Sequence, residues 1–274
     1  MDLSGVLAPA LTPFDARLDI DVDRFVDHCR ALLAEGCAAL AVFGTTSEAN
    51  SLSVEERERL LMALPEAGIP PEKLLPGTGC CALTDTVRLT RGAVRAGCAG
   101  VLMLPPFYYK NVSEDGLFRS YAEVIERVAD PRLRVFLYHI PQVSQVPIPL
   151  PVIHRLRAKY GELVAGLKDS GHDFANTKSI LESVPGFLVF SGSEKFLLRN
   201  LQAGGAGCIT ATANVNAAMI VKAFLERTDA AQAEIDAVRT RFELQPMIPA
   251  LKAEVARRKN DPVWRNVRPP LVPL

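Results

Sequence analysis

Lys168 closes the run Leu163-Val164-Ala165-Gly166-Leu167, which is apolar enough to be buried on both faces, so its amine would emerge where that segment ends. Burial disfavours a charged ammonium and favours the free amine, the form that attacks a ketone to give an imine. The competing reading is a side chain that snorkels to solvent or pairs with Asp169. Tyr138 lies at the end of the preceding apolar segment. Adjacent strands are about 4.8 Å apart, so a phenol and an amine at equal depth meet, and the phenol would relay protons to a carbinolamine. Otherwise Tyr138 is a half-buried aromatic with a satisfied hydroxyl. Thr45 and Thr46 follow Gly44 in a turn. Their hydroxyls and consecutive amides suit the carboxylate of an α-keto acid, or form a local turn or cap for the next helix. Tyr108 and Tyr109, in LPPFYYKN, line a pocket or an interface, or simply pack. Glu48 is a base, or else a dipole partner or hydrogen-bond anchor.

The elements that must position these groups alternate along the chain. Short apolar runs at 6–11, 38–43, 73–76, 100–104, 134–139, 163–168, 187–191 and 206–210 read as strands. Amphipathic stretches at 21–35, 54–67, 84–96, 115–128, 149–160, 174–183 and 196–203 read as the helices between them. Ser53 with Glu56 forms a capping box, and Gly36, Gly68, Gly97 and Gly204 follow helices where a left-handed residue is wanted. Eight such alternations without a long insert predict an α/β chain, a (β/α)8 TIM barrel over residues 1–214. Residues 215–274, with helical patterns at 217–227, 230–243 and 249–259, are expected to be a C-terminal helical extension packed on the barrel. In this fold the site is built at the carboxyl ends of the strands, where GTTSE (44–48), YHIP (138–141) and GLKDS (166–170) fall.

Composition narrows the function further. Of 274 residues, 49% are hydrophobic, which suits a globular core, and thirty-one basic residues balance thirty-one acidic ones. This argues against a nucleic-acid or anionic-membrane partner. No apolar run approaches the roughly 20 residues of a membrane span, and the N-terminal MDLSGVLAPALTPF has no basic region and breaks at Pro9 and Pro13, so it does not read as a signal peptide. The expected address is cytoplasmic. The six cysteines show no CxxC spacing and read as small buried hydrophobes, with the vicinal Cys80 and Cys81 worth testing for reactivity. The four histidines are dispersed, and no metal site is expected. No GxGxxG or GxxxxGK[ST] follows a strand, against a nucleotide site.

In order along the chain, TPF (12–14), GTTSE, GTG (77–79), PPFYY (105–109), LYHIP (137–141), GLKDS, SGS (191–193) and GCITATANV (207–215) fall at successive strand ends. Together they resemble the dihydrodipicolinate synthase and N-acetylneuraminate lyase family of pyruvate-dependent class I aldolases. By that resemblance Lys168 is the imine-forming lysine and Tyr138 the proton-relaying tyrosine. Thr45 and Thr46 bind the pyruvate carboxylate, and Thr46 joins Tyr138 and Tyr109 in moving protons. Tyr109 is lent across a dimer interface, Ile209 turns its carbonyl to the pyruvate-derived group, and Gly192 shapes the keto-acid pocket. The resemblance further implies no cofactor beyond the covalent imine on Lys168, and a homo-oligomer arranged as a dimer of dimers.

Departures from the family bear on the second substrate. The synthase branch carries an arginine five residues after the tyrosine to hold the carboxylate of aspartate semialdehyde, and Val143 stands there. A hydrophobe cannot replace a carboxylate clamp, whose loss removes about two decades in rate. Ser47 replaces a glycine and His139 an asparagine, both toward the acceptor side, where His139 and Gln142 would bond hydroxyls or a carbonyl. The chain ends at RPPLVPL, where longer relatives continue into a further helix. The expected partners are thus pyruvate and a small aldehyde, or a 2-keto-3-deoxy sugar acid that is cleaved. The alternatives are condensation with aspartate semialdehyde, β-elimination through the same imine, and a catalytically silent keto-acid-binding barrel. A barrel binding a phosphorylated substrate, with SGSEK or AGGAG as its phosphate cradle, is a further rival.

Overall fold

The computed structural model describes residues 3–274. Met1 and Asp2, part of the segment read as lacking a signal peptide, lie outside the described residues. In chain order the elements are β1 (Gly5–Ala8), α1 (Val22–Ala34), β2 (Ala39–Leu40), α2 (Val54–Glu66), α3 (Leu83–Ala96), β3 (Val101–Met103), α4 (Glu114–Val128), β4 (Val135–His139), α5 (Pro141–Ser144) and α6 (Leu150–Tyr160). They are followed by β5 (Val164–Asp169), α7 (Phe174–Ser183), β6 (Leu188–Ser191), α8 (Leu197–Gln202), β7 (Gly207–Ile209), α9 (Ala213–Glu226), α10 (Asp229–Glu243) and α11 (Met247–Lys259). All strand pairs are parallel, in the order β2-β1-β7-β6-β5-β4-β3.

The gap between β2 and β3 is filled by the expected third strand, shifted by one residue to 74–77. Leu75 N donates to Leu40 O (2.9 Å) and Gly77 N to Val42 O (2.7 Å), while Leu102 N donates to Pro76 O (2.9 Å) and Thr78 N to Leu102 O (3.0 Å). Pro76 has no N–H, so the ladder is interrupted and only isolated bridges, Leu40–Leu74 and Gly77–Leu102, join it to its neighbours. Bulk is excluded there as well, because a β-carbon on Gly77 would sit 2.1 Å from Phe43 O. With this segment the sheet closes into the (β/α)8 barrel.

Strand alternation separates two cores. Leu7, Ala39, Leu102, Phe136, Tyr138, Phe190 and Ile209 pack together inside the barrel. Val6, Leu40, Val101, Leu137, Leu167 and Val189 face the helices. The helix signals in the sequence are realised: Ser53 and Glu56 form the capping box of α2, and Gly36, Gly68, Gly97 and Gly204 all have positive φ.

Two details differ from the sequence reading. The short α5, carrying Gln142 and Val143, lacks the length for a helical period to show. The expected boundary at 214 falls inside α9, which buries Ala217, Ile220 and Ala223 in the sheet–helix core and packs on β1, so α9 completes the helical ring. The extension proper is α10, α11 and the C-terminal segment. Leu251, Val255, Ala256 and Trp264 form its separate core with Leu11 and Val215.

Candidate active site

Lys168 and Tyr138 are directly paired in the β4–β5 register, and both point into the barrel. That pairing depends on an irregularity: Val135 pairs with Val164, whereas Phe136 pairs with Gly166, so Ala165 is the extra residue of a bulge. Gly166 lies below Lys168 on the inner face, where a β-carbon would be 2.3 Å from Leu188 O and 2.7 Å from the Phe136 ring. Lys168 is 4% exposed and Tyr138 3%. Lys168 Nζ donates to the Tyr138 hydroxyl at 3.2 Å, and the same hydroxyl lies 3.3 Å from Thr45 Oγ1. An amine that can add to a carbonyl, a phenol to shuttle its protons and a hydroxyl to extend the path are thus contiguous at the barrel mouth. Beside them a small pocket is lined by Phe43, Gly44, Thr45, Gly77, Gly79 and Tyr138.

The GTTSE turn is held from both sides. Ser47 N donates to Gly44 O (3.1 Å) and Glu48 N to Thr45 O (3.1 Å). Ser47 Oγ donates to Ala10 O (2.6 Å), and Thr12 Oγ1 donates back to Ser47 O (2.8 Å). The serine that replaces the family's glycine is therefore fully buried and ties the turn to the segment after β1. Glu48 is an anchor, not a base. Its carboxylate pairs with the buried Lys252 and accepts the Arg268 backbone N–H at 3.0 Å.

The expected site residues divide accordingly. Lys168, Tyr138 and Thr45 are brought together, and Thr46 is buried next to Thr45 in the turn. Of the two threonines it is Thr45, not Thr46, whose hydroxyl is within hydrogen-bond distance of Tyr138. Ile209 closes β7 inside the barrel, opposite Leu7. Gly192 N donates to Asp169 O at 2.6 Å, and a β-carbon there would overlap Ser170, so only glycine lets these two strand ends approach.

His139 departs from its expected role. Following Tyr138 by one residue, it faces away from the barrel interior, as strand alternation requires. Its Nδ1 accepts the Ile148 N–H at 3.1 Å, so that ring nitrogen is taken up by a bond within the fold. Burial lowers its pKa, opposed by the Asp169 charge. Gln142 is likewise committed, donating to Ser170 O at 2.5 Å. Val143 (58%) and Tyr109 (75%) are exposed. Tyr108 and Tyr109 make an edge-to-face pair with ring centroids 5.4 Å apart.

Sequence reasoning missed the roles of three buried charges outside the Lys168–Tyr138–Thr45 trio. Asp169 accepts from Gly171 N (2.8 Å), Asn176 Nδ2 (2.9 Å) and Thr177 Oγ1 (2.8 Å), fixing the loop after β5. Glu194 accepts from the Thr210 and Thr212 hydroxyls and faces Arg239 at 3.3 Å. Lys252 is the third, and its signal was a lysine among the apolar positions 251, 255 and 256 of α11. Of the cysteines, Cys29, Cys37 and Cys208 are buried as expected, and burial pushes the Cys37 thiol up to about 12. Cys81 is exposed, and Cys80 Sγ accepts from Arg57.

The chain is a parallel barrel with a buried lysine and a tyrosine hydroxyl paired at its mouth. The family model described as the dihydrodipicolinate synthetase family matches residues 2–273, and the chain belongs to that family. It is 37% identical over 279 residues to an uncharacterized DapA-like lyase of Chloroflexus aurantiacus, covering 98% of this chain and 91% of that protein. Among solved structures it is similar to dihydrodipicolinate synthase from Agrobacterium tumefaciens, with TM-score 0.92, 31% identity and coverage of 98% and 93%. The fold is also that of 2-keto 3-deoxygluconate aldolase from Picrophilus torridus, with TM-score 0.90, 21% identity and coverage of 99% and 98%. Among the described residues no helix is long and apolar enough to cross a membrane.

Proposed function

We propose that the chain is a class I aldolase whose Lys168 forms an imine with pyruvate, and that its physiological reaction makes or cleaves a bond between pyruvate and a polyhydroxy aldehyde. Family membership supplies the coarser statement, a pyruvate-dependent aldolase or lyase. The carrying observation is the trio in which Tyr138 OH lies 3.2 Å from Lys168 Nζ and 3.3 Å from Thr45 Oγ1. In the proposed sequence the amine of Lys168 adds to the keto carbon, and Tyr138 transfers the protons that turn the carbinolamine into imine and water. The Thr45–Thr46 turn receives the carboxylate. The protonated imine acts as the electron sink: loss of a C3 proton gives the enamine that adds to an aldehyde, and the reverse order cleaves. This sequence uses no cofactor beyond the imine itself.

The acceptor class follows from the mouth. Val143 occupies the family's carboxylate-clamp position, and the nearby Lys110 is engaged with Ser144 O at 2.9 Å and with Phe107 O. This favours a sugar-acid substrate of the 2-keto-3-deoxy type over aspartate semialdehyde. The synthase reading is kept alive by the Agrobacterium relative, and the direct comparison is kinetic. Pyruvate release from 2-keto-3-deoxygluconate should exceed condensation with aspartate semialdehyde by at least about a hundredfold in kcat/KM, the value of the missing clamp. The opposite ranking would restore the synthase.

The exposed Tyr108–Tyr109 pair supports assembly into a homo-oligomer, a dimer of dimers in which Tyr109 completes a neighbour's proton relay. The proposed location is the cytoplasm, in keeping with six unpaired thiols.

A further inference from the structure

Glu48 combines two features that call for explanation. It is buried, and its backbone is left-handed (φ 57°, ψ 32°), a conformation that a residue with a β-carbon seldom adopts without being held. The partners of its carboxylate come from the C-terminal extension. The ammonium of Lys252, which is 0% exposed, pairs with the Glu48 carboxylate, donates to Asn266 O at 2.7 Å and lies 4.3 Å from the centre of the Phe14 ring. The Arg268 backbone N–H donates to Glu48 Oε2, and the Arg268 guanidinium grips Ser51 O (2.6 Å) and Glu56 (2.5 and 2.8 Å) on the far side of the same turn. Asn266 Nδ2 meanwhile bonds Phe14 O and Asp15 O. Glu48 is three residues from Thr45 and donates its own N–H to Thr45 O. Its backbone is thus tied to that of the residue whose hydroxyl contacts Tyr138.

We propose that Lys252 and Arg268, neither of which reaches the mouth, are positioning residues for the keto-acid site, acting through Glu48 to hold the Thr45–Thr46 turn in the shape that receives the substrate's carboxylate. This rests on the reading of Lys168 and the threonine turn given above. Desolvation lowers Lys252 to about 8, so its charge is costly and is retained only by the Glu48 contact.

A buried ion pair separates support of the fold from positioning, because removing one partner strands the other whereas removing both does not. Lys252→Met should lower the melting temperature, and the double variant Glu48→Gln/Lys252→Met should recover most of that loss. If the pair positions the turn, the pyruvate concentration for half-maximal borohydride trapping in the double variant stays raised about tenfold even though stability has recovered. Trapping at the parental concentration would overturn the proposal. A second measurement uses the unaltered protein and covers failure of the double variant to fold. Reductively locked pyruvate should slow amide hydrogen exchange at residues 45–49 and at 266–268 together, and protection confined to the turn would count against the coupling. Absence of any adduct in the parent protein would instead refute the imine reading itself.

Discussion

Lys168, Tyr138 and Thr45 form a chain of three hydrogen-bonding groups, and each removal should leave a distinct kinetic mark. Tyr138→Phe deletes the only atom that touches both neighbours in that chain, and general acid–base catalysis of this kind contributes about 10²–10⁴-fold. Steady-state kinetics should show kcat lowered by at least about a hundredfold with the fold intact by circular dichroism. Thr45→Val should lower kcat, whereas Thr46→Val should chiefly raise KM for pyruvate, since the hydrogen bond to Tyr138 is made by Thr45. Equal effects on kcat would remove the distinction between them. At this scale the sequence exposed the reactive types and their order, because apolar runs ending in Lys168 and Tyr138 mark strand ends. It could not say which threonine faces the phenol, because that depends on the geometry of the 44–48 turn, whereas the outward direction of His139 follows by alternation once Tyr138 points inward.

At the scale of the element, the bulge and the glycines decide whether Lys168 meets Tyr138. Gly166→Ala would drive a methyl group against Leu188 O and the Phe136 ring, and overpacking of this sort costs about 1–3 kcal/mol. Denaturant titration should report that loss, accompanied by slower imine trapping as Lys168 is displaced. Helix α1 carries a second, independent device. His28 Nε2 is bonded to Asn214 Oδ1 at 2.8 Å, its ring lies 4.9 Å from Trp264, and burial lowers its pKa from 6.5 to about 4. The unfolded chain takes up this proton between those values and the folded chain does not, so stability is lost as pH falls through that window, by about 3 kcal/mol at pH 4. His28→Gln should flatten that part of the pH–stability curve while lowering stability at pH 7. Helix positions were legible because capping and 3.6-residue periodicity are local signals. The third strand was displaced and α5 escaped notice because a proline-interrupted strand and a single helical turn have little local pattern.

For the whole molecule, the extension and the assembly are what sequence patterning conveyed least. Helix α9 follows the last strand, where the sequence reading began the extension, yet it completes the barrel ring, and α11 places a lysine among its apolar positions to reach the Glu48 carboxylate. Such long-range pairs, 204 residues apart in the chain, leave no periodicity. Assembly should be visible by sedimentation velocity. A dimer or tetramer is expected at micromolar concentration, with activity falling on dilution in step with dissociation and Tyr109→Phe lowering kcat without changing the sedimentation coefficient. A fully active monomer would remove Tyr109 from the relay. The imine remains the claim on which the rest depends, and it is tested by incubating the protein with pyruvate, reducing with borohydride and mapping the modified peptide by mass spectrometry. The prediction is one pyruvate-derived adduct per chain on Lys168, absent from Lys168→Ala. No adduct, or one that persists in Lys168→Ala, would contradict the aldolase mechanism.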